Sequence, residues 1–167
     1  MTTVDSRTIS VLVANRFGVL ARVAGLFSGR GYNIISLTVN PTHDAKFSQM
    51  TIVTSGDEAI IEQIEKQLQK LVDVVKVQTL SGGNFIEREM ALFKIKAGNA
   101  AEQGQIIQLV EVFQGKVIYV APGRMTVEIS GDSDKIDNFT SMVREFGILE
   151  MARSGRVAIS KKISADN

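Results

Sequence analysis

The 167-residue sequence predicts an α+β fold in which one β-α-β-β-α-β order is run through twice. Two observations carry this. Short β-rich runs alternate with amphipathic helical stretches in the same order in each half. The halves, of about eighty residues each, meet at Ser81-Gly82-Gly83-Asn84, a joint composition typical of a flexible connection. The order is that of a ferredoxin-like split βαβ unit, each giving a four-stranded antiparallel sheet with two helices on one face.

In the first half, Thr8 to Ala14 reads Thr-Ile-Ser-Val-Leu-Val-Ala, a strand of buried type. The next stretch predicts a helix from near Phe17 or Gly18. Val19, Val23 and Leu26 recur at i, i+4 and i+7, and Leu20, Ala24 and Phe27 widen the stripe. Gly29 and Gly31 stop it. Tyr32 to Val39 and Phe47 to Thr54 read as strands around the turn Asn40-Pro41-Thr42-His43-Asp44. Asp57 caps a second helix with Ile61, Ile64, Leu68 and Leu71 inward, and Val72 to Leu80 is the fourth strand.

The second half repeats the scheme. Glu89 to Ala97 is a strand, and Ala101 to Gln114 a helix stopped by Gly115. Lys116 to Val120 and Arg124 to Ser130 are strands around Ala121-Pro122-Gly123. After Gly131-Asp132 comes a helix with Ile136, Phe139, Met142 and Val143 on one side. Gly147 to Ile159 closes the unit as a strand region breaking at Ser154-Gly155, and Ser160 to Asn167 forms a polar tail. The expected domains are therefore 1–81 and 82–167. The sheet face opposite the helices needs a cover in each unit, and a homodimer is the commonest closed assembly that supplies one.

Composition narrows the function classes. A net charge of +1 gives no strong pull toward nucleic acid or an anionic membrane. The first and third strands carry no stacking aromatics, which argues further against RNA binding. Without cysteine there is no disulfide, thiolate zinc site or cysteine nucleophile, in keeping with a reducing cytoplasm. No apolar run is long enough to span a bilayer, and the N-terminus has no signal-peptide core. One histidine, His43 in a turn, excludes multi-histidine metal cages. Asp44, Asp57 and Glu58 flank turns and read as turn and cap residues rather than metal ligands. Glu62, Glu65, Lys66 and Lys70 read as a solvated helix face, and Glu87-Arg88-Glu89 as a solvated strand entry or a partner contact. No catalytic constellation emerges.

One stretch does suggest binding. Helix amides near Gly18 lack internal partners and sit at the positive end of the dipole, a place suited to a carboxylate or phosphate. Asn15 before the helix and Asn33 after it carry amides able to meet both ends of a zwitterion, with small apolar residues between. A pocket for a small apolar amino acid follows. The same residues also serve as an ordinary turn glycine and cap.

The segments Asn15 to Val23, Gly25 to Ser28, Arg30 to Ile34, Ser36 to Val39, Met50 to Val53, Glu62 to Leu68 and Lys70 to Val74 resemble the small regulatory subunit of acetohydroxyacid synthase, or acetolactate synthase. So do Lys135-Ile136-Asp137, Phe146-Gly147-Ile148 and Ala152 to Gly155, and the likeness runs from about Ile9 to Ser160. The resemblance implies an N-terminal ACT domain that dimerises and a C-terminal ferredoxin-like domain. It implies a non-catalytic chain that activates the catalytic large subunit and confers inhibition by valine or another branched-chain amino acid. Thiamine diphosphate, magnesium and FAD would belong to that subunit, with no cofactor or metal in this chain. The implied effector site takes Asn15, Gly18, Val19 and Leu20 from one protomer and Asn33 and Ile34 from the other. Gln49 and Tyr119 depart from the residues usual at those positions, and a bulky Phe17 would narrow the pocket. Competing readings are a free-standing ACT-domain sensor with another partner, a small phosphohydrolase using Asn15 and Arg16, and a ligand-free scaffold.

Overall fold

The computed structural model describes residues 6–162. They divide into two compact units: residues up to Ile86 together with those from Arg156 onward, and Glu87–Gly155.

In the first unit the elements are β1 (Ser6–Ala14), α1 (Val19–Gly29), β2 (Ile34–Pro41), β3 (Phe47–Ser55), α2 (Glu58–Gln69) and β4 (Val74–Leu80). The sheet order is β2-β3-β1-β4 with antiparallel neighbours, the ferredoxin-like order expected. Period-two alternation sends Ile9, Val11, Val13, Met50 and Ile52 to the helix side, where they meet Val19, Val23 and Phe27 of α1 and Ile61, Ile64 and Leu68 of α2. Asp57 caps α2 as expected, its carboxylate accepting from the Ile60 amide at 2.9 Å. Glu65 is not part of a solvated face. Its carboxylate accepts from both the amide and the hydroxyl of Thr79, sealing part of the outer edge of β4.

The opposite face of this sheet is covered in part, over Thr51 and Val53, by the chain's own last segment. The expected closing strand is two strands, β8 (Ile148–Arg153) and β9 (Val157–Ser160), separated at Ser154-Gly155 where Gly155 takes φ 80°. Thr38 Oγ1 donates to the Arg156 carbonyl at 2.9 Å, and the Ala158 amide donates to Thr51 Oγ1 at 3.2 Å. Beneath them Thr51 and Val53 are 2% and 0% exposed. So β9 groups with the first unit, not the second. Ser160 ends that strand, and Lys161 donates from its amide to the Asn84 carbonyl and from Nζ to the Gly83 carbonyl, pinning the expected flexible joint. The rest of the expected tail, 163–167, lies outside the described residues.

The second unit holds β5 (Phe85–Ala97, from Glu87 onward), α3 (Ala100–Val112), β6 (Lys116–Ala121), β7 (Gly123–Gly131), α4 (Ser133–Val143), a single 3₁₀ turn (Arg144–Phe146) and β8. The order β6-β7-β5-β8 repeats the first sheet. Phe139 packs edge-on against Phe93 and Phe113 at centroid distances of 5.0 and 5.2 Å, at the centre of the core. Asn99 and Asp132 cap α3 and α4. Met142, expected to face inward, is exposed, and Ile136, Phe139 and Val143 fill that face. Gly115 does more than end a helix. A Cβ there would stand 2.3 Å from Ile129 Cδ1 and 2.7 Å from the Glu128 carbonyl, so glycine is what lets the chain pass against β7.

Glu89 is not solvated at the strand entry. It is 4% exposed, and Arg153 meets it with two nitrogens, Nε to Oε1 at 2.5 Å and Nη2 to Oε2 at 2.9 Å. Ser133 Oγ donates to Oε2 at 3.2 Å, and Arg153 Nη1 reaches Asp137 at 2.7 Å. Hydrogen bonding to Glu89 outweighs the burial that opposes it and holds the Arg153 guanidinium charged.

Candidate functional site

The β1–α1 loop and the first turn of α1 form the candidate site. Gly18 is the N-cap of α1, with φ 81° and ψ −5°. That left-handed conformation is readily open to glycine and costs other residues about 1–2 kcal/mol. No side chain caps this helix and its first turn holds no acid, whereas Asp57, Asn99 and Asp132 cap the other three. The first intrahelical bond runs from the Arg22 amide to the Gly18 carbonyl at 3.0 Å, so the Leu20 and Ala21 amides precede it at the positive end of the helix.

The loop before the helix is fixed from the β2–β3 turn. The Asn15 amide donates to the Lys46 carbonyl at 2.7 Å, and Asn15 Nδ2 donates to the Ala45 carbonyl at 2.9 Å. This directs the side-chain oxygen of the exposed Asn15 away from the turn. Val19 is buried in the core, so it offers its backbone to the loop and not its side chain. Leu20 is exposed beside it. Phe17 is fully exposed and narrows nothing within the chain.

Asn33 and Ile34 lie elsewhere. Asn33 is exposed and its carbonyl accepts from Thr54 Oγ1 at 2.6 Å, while Ile34 packs partly on the core. Register fixes the separation. Ile34 pairs with Thr54, and Thr54 with Arg7 at the start of β1, whereas the loop follows Ala14 at its end. Seven strand residues put about 20 Å between the two groups. One chain therefore does not bring Asn33 to Asn15 and Gly18.

Two residues at the loop were not singled out in the sequence. Arg22, one turn after Gly18, pairs through Nη2 with Asp73 Oδ2 at 2.5 Å, and the Asp73 carbonyl accepts the Ala14 amide at 2.8 Å. The i,i+4 spacing of Gly18 and Arg22 was the available signal. Nothing local marks Asp73, 51 residues further on. The residues read as turn and cap groups behave as such: Asp44 accepts the Lys46 amide at 3.0 Å within its own turn, and His43 is exposed. Among the described residues no cluster of three acidic, histidine or cysteine side chains is placed to hold a metal ion, and no helix is long and apolar enough to cross a membrane.

Residues 9–76 match the model of the AHAS small subunit-like ACT domain, and residues 88–162 match the model of the small subunit of acetolactate synthase. The chain belongs to the acetolactate synthase small-subunit family. The isozyme 3 small subunit of Salmonella typhimurium is 50% identical over 93% of this chain and 95% of its own. The acetolactate synthase small subunit of Aquifex aeolicus is 43% identical over 96% of this chain and 84% of its own. The crystal structure of the acetolactate synthase small subunit from Thermotoga maritima superposes with a TM-score of 0.85 at 40% identity, covering 95% of this chain and 98% of that one. The ACT-domain match spans α1, its flanking loops and β2, so all six candidate residues lie within the part of this small subunit that the family model describes.

Proposed function

We propose that the chain is the regulatory subunit of acetolactate synthase, working in the cytoplasm. It docks on the catalytic large subunit, raises its activity and makes it subject to inhibition by valine or another branched-chain amino acid. Thiamine diphosphate, magnesium and FAD reside in the catalytic subunit, and this chain contributes no active site of its own.

The observation that carries the reading is the uncapped start of α1. In the proposed complex the effector carboxylate lies on the amides of Gly18 and Leu20, beside Val19, whose amide already donates to the Arg16 carbonyl at 3.4 Å. The Asn15 side-chain oxygen, turned out by the bond from Nδ2 to Ala45, accepts from the effector ammonium. An aliphatic side chain then meets Leu20, with Asn33 and Ile34 of a second copy closing the far side.

The strand register makes a second copy the natural source of that far side. β2 is an edge strand, with its outer rim open among the described residues. A bulge between Ile34 and Ser36 leaves Ile35 exposed on it. Pro41 pairs with Ser48, next to the Phe47–Ala14 pair, so the Pro41 end of β2 is level with the β1–α1 loop. Antiparallel pairing of two β2 edges about a two-fold axis brings the Ile34 end of each copy to the Pro41 end of the other. That brings Asn33 of one copy to the same end of the joined sheet as the β1–α1 loop of its partner, twice per dimer. Effector bound across the interface favours one arrangement of the dimer. It regulates the enzyme only as far as that arrangement couples differently to the catalytic subunit, by roughly 1–3 kcal/mol in typical cases.

Reconstitution tests this reading. Mixed with a catalytic large subunit, the chain is expected to co-purify with it and raise acetolactate formation several-fold, and L-valine is expected to remove at least half of that gain. A chain that neither co-purifies nor changes the rate would leave a free-standing amino-acid sensor as the better account.

A further inference from the structure

Arg22 is the unexplained group nearest the proposed site. A cation in the first turns of a helix opposes the macrodipole and is locally unfavourable. The first turns of α2, α3 and α4 carry Glu58, Glu102 and Asp134 instead. The Arg22 guanidinium nevertheless folds back over the N-cap. Its Nη1 stands 3.2 Å from where a Cβ on Gly18 would be, which places it beside the amides of the loop. Nη2 is taken by Asp73, whose side chain is 10% exposed against 51% for Arg22.

Asp73 makes this placement specific. Its carbonyl holds the Ala14 amide at the end of β1, and its carboxylate holds the guanidinium above the loop that follows. One residue thus fixes the strand leading into the loop and the cation lying over it. A guanidinium has five N–H donors, and one carboxylate oxygen at Nη2 leaves the Nη1 side directed at Gly18. Asp73 is nearly buried, so the pair also supports the fold, but one oxygen on Nη2 meets that need and leaves the Nη1 side at Gly18 without a structural purpose.

We infer that Arg22 is a further effector contact, donating from Nη1 to the carboxylate of the amino acid at the start of α1, and that Asp73 is its positioning residue. The inference rests on the effector site proposed above and adds its charge selectivity. Backbone amides accept any hydrogen-bond acceptor, whereas a guanidinium beside them selects an anion. It also gives Gly18 a second role: a side chain there would displace the guanidinium as well as strain the backbone.

The test compares full-length wild type with Arg22→Gln, Arg22→Lys and Asp73→Asn by calorimetric titration with L-valine and with L-valinamide, which lacks the carboxylate. Arg22→Gln is expected to weaken L-valine binding about ten- to a hundredfold, as loss of a charge-assisted bond does, while the chain stays folded with a modestly lowered thermal midpoint because Asp73 loses its cation. Its valinamide affinity stays at the wild-type level, so preference for the acid over the amide collapses. Arg22→Lys, which keeps the cation, recovers part of the loss, and Asp73→Asn falls between wild type and Arg22→Gln. If wild type shows no valinamide binding, the carboxylate dependence is already in view and recovery by lysine decides. Unchanged L-valine affinity in Arg22→Gln overturns the inference and leaves the effector site intact. So does an equal loss of acid and amide, or no recovery by lysine. A wild-type chain that binds no branched-chain amino acid, even with the catalytic subunit present, removes the site itself.

Discussion

A Gly18→Asp variant is expected to bind L-valine at least about a hundredfold more weakly than wild type while keeping its fold. Two effects act together. The new carboxylate stands where the effector carboxylate is proposed to lie, and opposing like charges at such a contact costs several kcal/mol. The Cβ also arrives 3.2 Å from Arg22 Nη1, so the aspartate draws the guanidinium to itself. Stability changes much less. Gly18 sits at φ 81°, where aspartate is tolerated better than most residues, at about 1–2 kcal/mol. Activation of the catalytic subunit should survive, giving an enzyme stimulated by the chain and insensitive to valine. Calorimetry with L-valine and a thermal melt check both halves, and unaltered valine affinity would show that the site lies elsewhere.

Arg153→Ala is expected to destabilise the second unit by about 3–5 kcal/mol, the cost of leaving a buried charge without its partner. Glu89 is 4% exposed and faces a guanidinium held by two close contacts. Removing that guanidinium strands the carboxylate in the protein interior with Ser133 as a remaining donor. Replacing both partners, as in Glu89→Leu with Arg153→Met, should recover most of the loss, because neither charge then needs solvating. Urea unfolding gives the numbers. A single-variant loss under about 1 kcal/mol would mean that Glu89 reaches water on losing its partner.

Legibility in the sequence divided along the range of the interactions. Helices and caps are decided within a few residues, so Asp57 and the α2 stripe of Ile61, Ile64 and Leu68 were readable directly. The β-rich run Thr8 to Ala14 was likewise readable as a strand, though only the fold turns Ile9, Val11 and Val13 to the helices. What a strand pairs with is not local. Val157 to Ser160 looks like the end of β8, and distant bonds such as that of Ala158 to Thr51, 107 residues away, assign it to the first unit. Glu89 in a Glu-Arg-Glu run looks solvated until Arg153 closes over it from 64 residues on. Glu65 has the spacing of an outer helix position, yet its carboxylate reaches back to Thr79. In the candidate site, Asn15 and Gly18 were legible from the chemistry of a helix start. Asn33 entered through a pair-of-amides reading and a family resemblance, and local sequence gives no sign that it sits at the other end of the sheet.

The proposed effector site lies between two copies of this chain, at Asn15 to Leu20 of one and Asn33 and Ile34 of the other. Differently tagged Gly18→Asp and Asn33→Ala chains, co-expressed and isolated as the mixed dimer, test it most directly. Each homodimer is expected to bind no L-valine. The mixed dimer pairs an intact loop from the Asn33→Ala chain with an intact Asn33 from the Gly18→Asp chain, and is expected to bind one L-valine per dimer with wild-type affinity. Wild-type chain that takes up about one L-valine per protomer, together with a mixed dimer that binds none, would contradict a shared site and place the effector within a single chain.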